Sequence, residues 1–315
     1  MTASRIESVA VVGTGVIGAS WAAYFLARGL RVSATDPAPG ARERLMTAIA
    51  RHWPTLEQIG LAKDASLSNL TFHDDLESAL SGVQFVQENG PEREDLKLDL
   101  LRRIDAALPE DVVIASSTSG LLMSRMQQAC RHPERVVLGH PFNPPHLIPL
   151  VEVIGGEATS AASLERAMAF YTAIGKRPIH PRKEMMGHIA NRLQAALWRE
   201  AFHLVSIGAA SVADIDDAIA YGPGLRWAVL GPFANLHLSG GEGGIQHTLD
   251  HLGPPMQSWW DDLGAPQLTP ELQRKVVDEM KAALAGRSSE SMETERDRVM
   301  LELLKARSAA GCATR

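Results

Sequence analysis

Cysteine is almost missing from this chain. Cys130 and Cys312 are the only two in 315 residues, too few and too far apart for a disulfide framework or a thiolate metal site, so a reducing, cytoplasmic setting without a metal is expected. Long apolar runs are missing too. None reaches the roughly 18 residues of a membrane span, and no basic leader followed by an apolar segment opens the sequence. Nor is there an excess of one charge: 31 Lys and Arg against 37 Asp and Glu leave a formal net charge of -6. That balance offers neither nucleic acid nor an anionic membrane any general attraction. A small-molecule substrate is what remains. The length lies where single hydrophobic cores begin to divide, which points to two domains.

What is present begins with "SVAVVGTGVIGASWAAYFLARG": a β-branched run, a glycine turn and a helix-compatible stretch with apolar Trp21, Tyr24, Phe25 and Leu26. Gly13 permits the tight turn, Gly15 lets backbone approach a pyrophosphate, and Gly18 lets helix and strand pack closely. With Val16 and Ile17, these glycines form a cofactor-binding turn at a helix N-terminus, where free N–H groups favour an anion. "LRVSATD" reads as a second strand ending in Asp36, eighteen residues after Gly18. A carboxylate there accepts hydrogen bonds from ribose hydroxyls and repels a 2′-phosphate, and Pro37 and Ala38 bring no arginine to reverse the choice. The expected cofactor is NAD.

Residues 41–69 read as two helical stretches interrupted at Pro54, a hairpin inserted after the second strand. Further strands in "GVQFVQENGPE", "VVIASSTSG" and "RVVLGHPF" alternate with helices, the pattern of an α/β, Rossmann-type doubly wound parallel sheet. From "GHIANRLQAALWREAFHLVSIG" onward strand-like alternation stops, so the second domain is expected to be all helical. The division falls between 1–184 and 185–315. Ser211 and Asp214 read as a capping box, residues 257–272 as a loop for partner or lid contact, and the tail as a charged helix with a disordered end.

Ligands of such a sheet gather at the strands' carboxyl ends, which here carry Glu88, Glu92, Ser117, Ser119 and His140. His140 heads "HPFNPPHLIPLVEV", an apolar run that reads as a buried strand yet contains one carboxylate, Glu152. A histidine beside a nicotinamide can take a hydroxyl proton as hydride leaves the same carbon. Glu152 then has a reason to be buried: it holds the imidazole's tautomer and stabilises the imidazolium.

Together the glycine turn, "ENGPEREDLK", "SSTSGL", "HPFNPPHLIPLVEV" and "GHIANRL" resemble the L-3-hydroxyacyl-CoA dehydrogenase family, in its order and close to its spacing. The resemblance implies a catalytic pair His140 and Glu152, substrate contacts from Ser119 and Asn191, and Glu92 and Lys97 lining the nicotinamide side, with Ser117 also near the cofactor. It further implies a homodimer formed through the helical domain. An amide N–H₂ at Asn191 also suits the charge that develops on the reacting oxygen.

Residues 41–69 carry only a weak basic excess, unlike acyl-CoA members, whose hairpin is lysine-rich. "YGPGLRWAVLGPF" is instead similar to the branch of carnitine and gulonate 3-dehydrogenases and lambda-crystallins, whose substrates are free 3-hydroxy carboxylates. Arg226 would clamp the carboxylate through two parallel N–H bonds, or else pair with an acid such as Asp217. Trp227 inserts beside it, and Trp198, Phe202, Tyr221 and Phe233 are further aromatic faces for a quaternary ammonium. The expected activity is NAD-dependent oxidation of an L-3-hydroxy carboxylate, carnitine or a close relative. The alternatives are an acyl-CoA thioester, gulonate, or a crystallin-like structural role.

Overall fold

The computed structural model describes residues 5–311. They form two compact units dividing between Arg192 and Leu193, later than the expected break after residue 184. In chain order the first unit comprises β1 (Ser8–Val12), α1 (Val16–Ala27), β2 (Arg31–Thr35), α2 (Ala41–Ile59), β3 (Leu70–His73), α3 (Leu76–Leu80), β4 (Phe85–Glu88), α4 (Glu94–Ala107), β5 (Val113–Ser116), α5 (Met123–Met126), β6 (Val136–Pro141), β7 (Leu150–Gly155), α6 (Ala161–Ala173) and β8 (Arg177–Ile179). One sheet runs in the order β3-β2-β1-β4-β5-β6-β7-β8. Every neighbouring pair is parallel except β6 and β7. Strand order reverses between β1 and β4, and it is outside the carboxyl ends at such a reversal that sheets of this kind bind ligands.

β1 shows why these residues make a central strand. All five are buried. Val9 and Val11 pack with α1, α2 and α6, whereas Ala10 and Val12 pack with α3, α4 and α5. Apolar residues on both faces are what burial between two helical layers requires. Trp21 anchors the first layer, its ring 5.0 Å from Phe25 and 5.8 Å from Tyr171.

Two expectations for this unit are corrected. Residues 41–69 contain no hairpin: α2 continues through Pro54 to Gly60, at φ +108°, and only the single 3-10 turn Leu67–Asn69 follows. Pro54 removes one N–H from the helical ladder. Leu45, Ile49 and Leu56 nevertheless form a buried stripe in the core that α1 also lines, and that stripe carries the helix past the missing bond. Similarly, "HPFNPPHLIPLVEV" is two strands rather than one. Pro144 and Pro145 lack the N–H groups a ladder needs, so β6 ends at Pro141 and β7 starts at Leu150. The antiparallel return sets His140 directly opposite Glu152.

The second unit follows from α7 (Ala190–Ser206), which begins in the first, through α8 (Val212–Ala220), α9 (Pro223–Trp227), α10 (Pro232–Ser239), α11 (Gly244–Asp262), α12 (Pro270–Leu284) and α13 (Ser289–Ala309). The capping box at Ser211 and Asp214 opens α8. Of residues 257–272, the stretch 263–269 is a loop as expected, but its flanks are helical, 257–262 closing α11 and 270–272 opening α12. Gln257 Nε2 donates to Asp261 Oδ1 at 3.0 Å, one turn further along α11, and Thr269 Oγ1 accepts from Leu272 N to start α12. Cys312 and the end expected to be disordered lie outside the described residues. Among the described residues of this unit, Val205, Leu272 and Leu301 are the buried large apolar side chains, while Trp198, Tyr221, Phe233, Trp259 and Trp260 are exposed. No helix among the described residues is long and apolar enough to cross a membrane.

Candidate active site

The glycine turn is built by close approach. Gly13 sits at φ +87°, and a Cβ there would come within 2.7 Å of the Asn89 carbonyl oxygen; one at Gly18 would come within 1.9 Å of the Gly13 carbonyl oxygen. Gly15 is different, because a Cβ there would meet nothing within 4 Å. That open space lies at the start of α1, whose amides no side chain caps. Backbone approach plus a free helix N-terminus at Val16 and Ile17 fits the pyrophosphate of NAD. Asp36 stands at the end of β2. Thr14 N and Oγ1 donate to its Oδ2 at 2.7 and 3.2 Å, and Ala38 N to its Oδ1 at 2.9 Å, so this carboxylate also shapes the turn.

Glu88 and Lys97 depart from expectation, since both are fully buried. Lys97 Nζ donates to Glu88 Oε1 and Oε2 at 2.8 and 3.1 Å and to the Gly90 carbonyl at 3.0 Å. All three ammonium protons are engaged. These bonds lock the loop beside Gly13. Ser117, half-buried, donates to Asn89 Oδ1 and accepts from Gln87 Nε2, both at 2.8 Å. Glu92 is exposed. Its Oε1 accepts from Thr118 Oγ1, Ser119 N and Gly120 N at 2.6, 2.9 and 3.0 Å, fixing the loop on which exposed Ser119 sits.

His140 and Glu152 come together as the cross-strand register requires. His140 Nδ1 lies 3.0 Å from Glu152 Oε2. The other oxygen, Oε1, accepts from Ile189 N and Ala190 N at 2.8 and 3.1 Å. Burial alone would raise the Glu152 pKa. The bond from His140, the two amides and the imidazole's charge outweigh it, and the carboxyl is held below its ordinary value. The carboxylate oxygen only accepts, so His140 donates this bond from Nδ1, and Nε2 is the ring nitrogen turned away from Glu152. Asn191 joins the same place, its Nδ2 donating to the Ser119 carbonyl at 3.3 Å.

Arg226 and Trp227 stand exposed on the short α9 of the second unit. No ion pair joins Arg226 to Asp217 among the described residues. One residue in the site was missed from sequence. His188 is buried at φ +51°, with its ring centroid 5.1 Å from that of His140. The pair Gly187-His188 in "GHIANRL" was the available signal, a glycine followed by a polar ring just ahead of a helix.

Glu152→Ala leaves His140 Nδ1–H and two amides without an acceptor, and is expected to cost roughly 3–5 kcal/mol in urea unfolding near pH 7, as for other broken buried pairs. Because the folded-state pKa is depressed, this stability is full above the unfolded carboxyl value and is lost as pH falls through the folded one. The stability gap between the two proteins should narrow as pH falls below the ordinary carboxyl value of about 4.3. Equal stability at pH 7 would contradict the pairing.

Comparison with known proteins identifies the family. The model of the 3-hydroxyacyl-CoA dehydrogenase NAD binding domain matches residues 8–185, and that of the family's C-terminal domain matches residues 187–287. The chain is 54% identical to an L-carnitine dehydrogenase of Streptomyces coelicolor over 98% of this chain and 96% of the relative. It is 48% identical to one of Pseudomonas putida over 96% and 94%. Among solved structures, 5-formyl-3-hydroxy-2-methylpyridine 4-carboxylic acid 5-dehydrogenase, an NAD+ dependent dismutase, superposes with a TM-score of 0.83 at 32% identity, covering 96% of this chain and 98% of that one. The (S)-3-hydroxybutyryl-CoA dehydrogenase of Ralstonia eutropha gives 0.64 at 25% identity, covering 90% and 95%. With both domain models matched in order and an NAD cradle, the chain belongs to the 3-hydroxyacyl-CoA dehydrogenase family and is an NAD-dependent dehydrogenase acting on a secondary alcohol.

Proposed function

We propose that this enzyme oxidises L-carnitine, or a close free 3-hydroxy carboxylate, to the 3-oxo acid. The observation that carries the chemistry is the His140 Nδ1 to Glu152 Oε2 contact at the end of β6. The relatives named for L-carnitine carry the substrate.

Held by the Gly13–Gly18 turn and Asp36, NAD would supply the hydride acceptor for C3. His140 Nε2 takes the hydroxyl proton, and Glu152 holds the ring and steadies the imidazolium through Nδ1–H. Ser119 and Asn191 hydrogen-bond the reacting oxygen, whose negative charge grows as the proton leaves. Asp36 receives the ribose hydroxyls. Arg226 grips the free carboxylate as a two-pronged donor, and exposed aromatic faces of the helical unit, Trp198, Tyr221 and Trp227 among them, suit a trimethylammonium group.

We read the working form as a cytoplasmic homodimer joined through the helical unit. So much exposed aromatic and aliphatic surface around so few buried anchors calls for a covering partner, and a second copy supplies the same patch in return. Sedimentation equilibrium is expected to give twice the 34.0 kDa chain mass. A monomer at micromolar concentration would contradict it.

Substrate choice is read by NADH appearance at 340 nm with L-carnitine, L-gulonate and 3-hydroxybutyryl-CoA. Carnitine is expected to lead. Arg226→Ala should raise its KM about ten- to a hundredfold, the worth of one charge-assisted partner, with Arg226→Lys recovering only part. With NADP in place of NAD, wild type should be poor and Asp36→Ala less discriminating. A wild type that prefers the thioester over every free acid would overturn the substrate reading, and silence with all three would favour a structural role.

A further inference from the structure

One side chain in residues 187–191 has no part in these steps. His188 is buried in the left-handed region at φ +51°, where a bulky residue is rare and persists only when its surroundings demand it. Its Nε2 lies 3.3 Å from the Thr118 carbonyl oxygen. A carbonyl only accepts, so Nε2 bears the proton and Nδ1 bears a lone pair. That lone pair is buried with no hydrogen-bond partner among the described residues. A phenylalanine would fill the same space without an unpaired nitrogen, and a glycine would relieve the backbone.

The neighbouring bonds suggest what the imidazole does. Glu92 holds the amides of Ser119 and Gly120, and Asn191 holds the Ser119 carbonyl. The remaining carbonyl beside Ser119, that of Thr118, is held by His188.

We propose that His188 is a positioning residue: as a neutral imidazole it pins the Thr118 carbonyl, so fixing Ser119 relative to His140, and it reserves Nδ1 for an N–H or O–H donor brought in by bound ligand. This rests on the reading of His140 as base and Ser119 as substrate contact. Neutrality matters because two imidazolium rings about 5 Å apart would repel strongly in a buried site, so a His188 that stays uncharged leaves His140 free to hold the reaction's proton. Burial and the His140 charge both press His188 toward the neutral form. The Thr118 carbonyl, Glu152 and Glu92 pull the other way, and the net proton affinity is below the ordinary histidine value.

Two measurements test it. In protein labelled with ¹⁵N-histidine, the His188 signals are those lost in His188→Gln. They should show the neutral Nε2–H tautomer persisting below the ordinary histidine value of about 6.5, and an Nδ1 resonance that moves when NAD and L-carnitine are added. An Nδ1–H tautomer, titration at the ordinary value near 6.5, or an unmoved Nδ1 would overturn the proposal.

In kinetics, His188→Phe should lower kcat/KM about ten- to a hundredfold, chiefly in kcat, with the Kd for NAD within twofold of wild type. His188→Gln, whose Nε2–H₂ can reach the same carbonyl, should recover most of the loss. Wild-type kcat/KM in His188→Phe, or no recovery in His188→Gln, would overturn the positioning role. Should wild type oxidise no free 3-hydroxy acid, the proposed function fails while the tautomer measurement still decides His188.

Discussion

A carboxylate with no exposure to water must have its charge met from within, and Glu152 meets it on both oxygens. Oε2 takes the His140 Nδ1–H, and Oε1 takes the two amides that open α7. The direction of its pKa shows which effect wins: burial opposes ionisation, yet the hydrogen bonds and the imidazole leave the group more acidic than usual. One side chain therefore joins β6, β7 and the entry to α7. It also fixes Nδ1 as the nitrogen of His140 that donates inward. The antiparallel pair β6 and β7 is where this happens. In an antiparallel pair, residues directly opposite share a face and lie close enough to touch, so the register itself delivers the base to its carboxylate.

Carboxylates hold the rest of the crevice in the same manner. Glu88 gathers Lys97, Ser116 Oγ and the Gly90 amide below the glycine turn, Asp36 gathers Thr14 and Ala38 at its side, and Glu92 gathers the Ser119 loop. Each accepts from backbone amides and a side-chain hydroxyl, and Glu88 from a cation as well, all within the protein. The uncapped amides of α1 are thereby left for a phosphate, and the anchoring groups do not compete with the ligand for them.

Much of this was legible in the sequence because the signals are local. The three glycines are spaced by the turn itself, and Asp36 follows at the length of one helix and one strand. The His140 to Glu152 pairing could be anticipated because a lone carboxylate in an apolar run needs a partner. What was not legible depends on tertiary choice. Pro54 looks like a break, but the buried stripe of Leu45, Ile49 and Leu56 outweighs one lost bond. Lys97 has its place in the motif, but that Glu88 and the Gly90 carbonyl engage its ammonium is something spacing cannot reveal. Residues 257–262 look like a loop, and α11 nonetheless runs through them with Gln257 and Asp261 bonded one turn apart. His188 escaped notice because its importance lies in a backbone angle and an unpaired nitrogen, neither of which is written in residue type.

The central claim is that His140, oriented by Glu152, removes the hydroxyl proton. His140→Gln keeps a hydrogen-bonding side chain of similar reach but cannot act as a base. With L-carnitine, kcat is expected to fall by ~10²–10⁴, while the Kd for NAD, read by protein fluorescence quenching, stays within about twofold because the cradle is built from Gly13 to Gly18 and Asp36. An unchanged kcat in His140→Gln would contradict the account.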